Sequence, residues 1–188
     1  MGFWLRIAGT IDAVNEAVAR VARWALLANA LLVAGNAISR KLFSTSAPVI
    51  YDLQWHFFAV VVLLMAAYTL QRDEHVRVDV FAQRLGDRGM AWLDLAGIVL
   101  ILLPVCLLMT WVTTPSFVAA FVSGETRASR EVGSDLPSWI IKSLLPAGFF
   151  LLALQGVAEA IRCLASLRGV FARPVHRRQL IDGAGHEP

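Results

Sequence analysis

Four long apolar runs separated by short charged stretches leave this chain few ways to fold. They cover about residues 24–41, 53–70, 92–113 and 139–161. A helix needs roughly 20 residues to cross about 30 Å of hydrocarbon. No water is present there to satisfy a peptide N–H or C=O, so runs of this length are helices. Composition agrees: 57 % of residues are hydrophobic and only 16 % charged, where a soluble domain carries about a quarter charged residues. The predicted fold class is an all-α membrane protein with four transmembrane helices.

Tryptophans mark the boundaries. Trp92 and Trp111 stand 19 residues apart, roughly 28 Å along a helix, which puts one aromatic at each interface. Trp55 and Trp139 begin spans two and four on the side of Trp111. Pro104 and Pro146 fall inside spans three and four and are expected to kink them. Residues 1–23 read as an amphipathic helix lying in the interface before span one. Trp4, Ile7, Ile11, Val14, Val18 and Val21 form its apolar stripe, and Arg6, Asp12, Glu16, Arg20 and Arg23 lie on other faces. The competing reading lets residues 10–23 prolong span one. Residues 24–168 form the membrane domain and 169–188 a polar tail. Cys106 and Cys163 fall at different depths and are expected to stay unpaired.

Orientation follows from charge. Four crossings put both termini and the 70–89 segment on one side, with twelve Lys/Arg against five on the other. The excess belongs in the cytoplasm. Both termini are therefore expected on the cytoplasmic side. Within 70–89 the residues favour a solvated loop in contact with headgroups; the alternative is a structured elbow, in which Asp79 caps a short helix over 80–85 and Gly86 and Gly89 allow the turn into span three. On the outer side, Phe117, Val118, Phe121 and Val122 are expected to form a short surface helix. Pro137, with Ser134 or Asp135 as cap, suits the start of span four.

Polar residues inside the spans are few, and each needs a protein partner. Asn29, Asn36 and Arg40 share one face of span one, near Asp52. That stripe serves either packing within the chain or contact with another subunit. Gln155, Glu159 and Arg162 share one face of span four, where a Glu159–Arg162 ion pair is expected in preference to a proton relay. Catalytic and metal-ligand constellations are missing from the pattern, and no basic patch suits nucleic acid. Two rival readings are a haem-anchoring redox subunit and an autonomous small carrier. His56 and His75 stand 19 residues apart, too far along a helix to share one iron, and the internal repeats usual in carriers are not evident.

Several stretches resemble one family. Asn36-Ala-Ile-Ser-Arg40, Asp52-Leu-Gln-Trp55 and His75-Val-Arg-Val-Asp79 are similar to the signature of the DctQ-like small membrane subunit of tripartite ATP-independent periplasmic (TRAP) transporters. YDLQWH, YTLQRDEHVRVDVF and WIIKSLLPAGFFLLALQGVAEAIR extend the likeness across about residues 20–168. Asp52 stands where the wider family often has glutamate. The resemblance implies a subunit without catalytic, cofactor or metal site. Its partners would be a large sodium-coupled membrane subunit that moves organic-acid solutes and a periplasmic solute-binding protein. The small subunit would scaffold the large one; its outer loop, about residues 114–138, would be either a solvated connector or, by analogy, an aid in docking the binding protein. Asn36, Arg40, Asp52, Trp55, His75, Arg77, Asp79, Gln155, Glu159 and Arg162 would make structural or subunit contacts.

Overall fold

The computed structural model describes residues 2–44, 48–72, 79–126 and 136–169; for Pro48 and residues 79–87 it describes the backbone only. Five α-helices account for nearly all of it: α1 (Gly2–Phe43), α2 (Pro48–Gln71), α3 (Asp79–Gly97), α4 (Leu103–Ser123) and α5 (Ser138–Leu167). A single π-helical turn, Ile98–Leu102, joins α3 to α4 without a break. The result is four rods, each long and apolar enough to cross a membrane.

The π turn has a local cause. Pro104 has no N–H to give the Leu100 carbonyl, and its ring crowds that oxygen. Widening the turn relieves the crowding, and Leu103 N–H reaches back five residues to the Ile98 carbonyl. Pro146 and Pro115 also lie within helices that continue past them.

Three boundaries differ from the sequence expectation. Helix α1 is continuous through Arg23 and Trp24, so residues 2–23 form one rod with span one and no turn separates them. Helix α3 passes through Gly86 and Gly89 rather than turning there. A glycine costs a helix only about 1 kcal/mol, and here the helix that precedes span three is its prolongation. The expected surface helix over Phe117–Val122 is likewise the last part of α4. Gly124 stops it with φ 60° and ψ 31°, a left-handed conformation that favours glycine.

The hairpin from α4 to α5 is clamped at its ends. The Glu125 carbonyl accepts from Ser138 N–H at 2.8 Å. Its carboxylate meets Lys142 Nζ at 2.6 Å. Pro137, in extended conformation, is the residue just before α5 rather than its first turn.

Helix α5 is the hub: it packs against α1, α2, α3 and α4, while α1 also packs against α2. What it buries is small. Ala8, Ala19 and Ala22 of α1, Ala67 of α2, and Gly148, Ala153, Gly156, Ala158 and Cys163 of α5 are buried. The bulky side chains point out; Trp111 and Val122 are each 80 % exposed. Apolar side chains gain nothing by leaving lipid for protein, so small residues that let backbones approach take the helix interfaces. At Gly148 the neighbour includes backbone. A Cβ there would stand 2.8 Å from Leu63 Cβ and 3.0 Å from its carbonyl oxygen.

Candidate functional site

A buried polar cluster joins the leading part of α1 to the last turns of α5. Ala8, Asp12, Asn15, Ala19 and Ala22 recur at spacings of 4, 3, 4 and 3, which aligns them on one face. That face meets α5, where Gln155, Glu159 and Arg162 are aligned in the same way. The Arg162 guanidinium is divided between two carboxylates: Nη1 donates to Glu159 Oε2 at 2.8 Å and Nη2 donates to Asp12 Oδ2. Gln155 Nε2 donates to Asp12 Oδ1 at 3.0 Å, and Asn15 Nδ2 donates to Gln155 Oε1 at 2.5 Å.

The amide orientations follow from this chain of bonds. A carboxylate only accepts, so Gln155 must turn its N–H₂ toward Asp12 and its oxygen toward Asn15. Asn15 must then donate, which leaves its Oδ1 buried without a hydrogen-bond partner among the described residues. Gln155 is 0 % exposed and Asn15 2 %. Side-chain exposure is only 17 % at Arg162, 25 % at Asp12 and 9 % at Glu159. Little water screens the cluster, so its charges depend on one another.

A second cluster ties α1 to α2. Arg23 and Arg72 each lie over the Tyr68 ring, at 5.6 and 5.3 Å from its centroid. Arg72 Nε also donates to the Tyr68 hydroxyl at 3.0 Å, and its guanidinium lies 3.9 Å from Glu16. This pairing is half exposed and worth well under the buried cluster.

The other expected site residues sit as follows. Asn36 and Asp52 are buried. Arg40 is exposed and donates to the hydroxyl of Tyr51, the neighbour of Asp52, at 3.3 Å. Asn29 is half-buried, with an Oδ1 that has no hydrogen-bond partner among the described residues. His56 Nδ1 lies 2.7 Å from the Asp52 backbone carbonyl, the usual tie of a helical histidine to the preceding turn. Trp55 faces outward and packs edge-on against Phe58. His75 and Arg77 lie outside the described residues; Asp79 opens α3, with its side chain outside them. Cys106 and Cys163 are both buried and are not joined by a disulfide. Among the described residues no group of three or more His, Cys, Asp or Glu is placed to hold a metal ion.

The structure brings Gln155, Glu159 and Arg162 together and adds Asp12, which the sequence pattern puts on a polar face, and Asn15, which it does not single out. The signal was present. The stripe of small and polar residues from Ala8 to Ala22 lies roughly a quarter-turn from the bulky stripe of Trp4 to Val21, at about 100° per residue. The sequence reading puts the bulky stripe in the membrane interface and names no partner for the small one.

A family model for the DctQ component of tripartite ATP-independent periplasmic transporters matches residues 29–166, most of the chain. The chain belongs to the DctQ family. It is thus a small membrane subunit of a TRAP transporter, a class that works with a large membrane subunit and a periplasmic binding protein. No curated protein and no solved structure matches the chain. Gln155, Glu159 and Arg162 fall within the DctQ match, whereas Asp12 and Asn15 precede it. The buried cluster thus fastens the leading part of α1 onto the family's core.

Proposed function

We propose that this DctQ subunit is a static brace for the large membrane subunit of a sodium-coupled transporter of organic acids. One observation carries the reading. The buried polar groups of Asp12, Asn15, Gln155 and Arg162 are used to fasten α1 to α5, while the outward faces of the rods are bulky and apolar. Such a chain has rigid, greasy surfaces to offer a neighbour in the bilayer. Purification in mild detergent should recover the large subunit with it. A chain that supports uptake alone would overturn the proposal, and a Soret absorption band would instead favour a haem anchor.

The proposed topology places both termini and the 73–78 segment in the cytoplasm of a bacterial inner membrane, in keeping with the excess of arginine there. A cysteine introduced at Arg77, with Cys106 and Cys163 replaced by alanine, should react with impermeant maleimide only after the membrane is opened. Labelling in intact cells would reverse the orientation. Asn36, Arg40, Asp52, Trp55, His75, Arg77 and Asp79 are proposed as structural or subunit contacts. Arg77→Ala or Asp79→Ala should lower the yield of the complex severalfold and leave the solute affinity of the binding protein unchanged. The outer loop, clamped by Glu125 and Lys142, is proposed to help seat the binding protein.

A further inference from the structure

We infer that the end of the bundle where α1 begins and α5 finishes holds one anionic phospholipid. A cavity of about 250 Å³ there is lined by Trp4, Ile161, Leu164 and Arg168. Three of the lining residues are apolar and the fourth, Arg168, carries a guanidinium. Arg162, six residues before, is engaged by Asp12 and Glu159. The Arg168 side chain makes no hydrogen bond or ion pair among the described residues. A guanidinium without a partner among the described residues, on a side chain that lines an apolar cleft, suits a phosphate with a hydrocarbon tail. Arginine takes phosphate through paired N–H donors, and an acyl chain fills the rest at no cost in exposed polar groups.

Depth supports the same occupant. Leu95 and Ile98 pack with Ala160, Cys163 and Leu167. Trp92, one turn before Leu95 and 63 % exposed, therefore stands close to the level of Arg168. Trp4 and Phe3 meet edge to face at 5.9 Å and are both exposed. Aromatic side chains of this kind gather at the headgroup layer. The guanidinium is therefore at phosphate height and the cleft below it at acyl height, the arrangement by which basic pockets between helices hold acidic lipids. A lipid seated there bridges the first turns of α1 and the last turn of α5, beyond the reach of the Asp12–Arg162 clasp. The inference requires only that the chain lie in a bilayer, and it is independent of the bracing role.

The test is native mass spectrometry of the full chain, released from micelles doped with phosphatidylglycerol or phosphatidylcholine. Phosphatidylglycerol should be retained preferentially. Arg168→Gln should reduce its retention about fivefold to tenfold, toward the phosphatidylcholine level. Arg88→Gln, which removes one exposed charge from α3, should leave it unchanged. Leu164→Trp, which keeps the charge and fills the cleft, should reduce retention of both lipids. Circular dichroism of each variant confirms that the helices persist. Equal retention of the two lipids, or full retention by Arg168→Gln, would overturn the inference. So would displacement by millimolar inorganic phosphate, which would reveal an anion site indifferent to the acyl chain.

Discussion

Replacing Arg162 by leucine should destabilise the folded chain by about 3–5 kcal/mol, measured by reversible unfolding in mixed micelles. The substitution leaves Asp12 and Glu159 facing each other with little water, having lost the guanidinium that both contact. Repulsion and desolvation then act together. The pair itself need not be worth that much, because much of the loss is the cost of stranded carboxylates. A variant carrying Asp12→Asn, Glu159→Gln and Arg162→Met should therefore recover most of the stability. A loss below about 1 kcal/mol for the single substitution would mean that the cluster behaves as a wet surface pair. It would also remove the reason for treating the leading part of α1 as fixed to α5.

The second large effect is expected at Gly148. Alanine there should cost about 1–3 kcal/mol, and leucine should separate α2 from α5 and prevent a stable fold. The obstacle at Gly148 includes the Leu63 carbonyl oxygen at 3.0 Å. Backbone cannot swing aside as a side-chain tip can, so the two helices must move apart. Gly156 gives the internal comparison. A Cβ there would first meet Leu102 Cδ2 at 2.5 Å, the end of a flexible side chain that can rotate. Gly156→Ala should be the milder change in the same unfolding measurement. Equal costs at the two glycines would show that close backbone approach does not govern this interface.

Both predictions depend on α5, and the legibility of α5 in the sequence was uneven. Its polar face was readable, because Gln155, Glu159 and Arg162 recur at spacings of 4 and 3 within an apolar run. Their partner was not. Asp12 lies 150 residues from Arg162 along the chain, and nothing local to either residue identifies the other. In the leading part of α1 the bulky stripe was legible as the lipid-facing side, but the side that packs on protein was not. A bulky apolar stripe marks the buried face of a helix in water, where burial removes surface from solvent. Beside lipid the rule fails, and Trp4, Val14 and Val21 face outward while Ala8, Asn15, Ala19 and Ala22 face α5. The turns expected at Gly86–Gly89 and before Phe117 failed similarly. Helices that leave the membrane have no need to stop at its surface, and an apolar length sets a minimum rather than an end.

The sequence by itself determined that four helices of membrane length would form, because a 20-residue apolar run in hydrocarbon has no other way to satisfy its backbone. It also carried the DctQ motifs and the polar face of α5. Only the tertiary structure decided which face of α1 is internal, that α5 is the hub, and that Asp12 and Asn15 complete the buried cluster. Between greasy rods in a greasy solvent, hydrophobicity does not choose the contacts; small side chains and matched polar groups do, and their matching is settled in three dimensions.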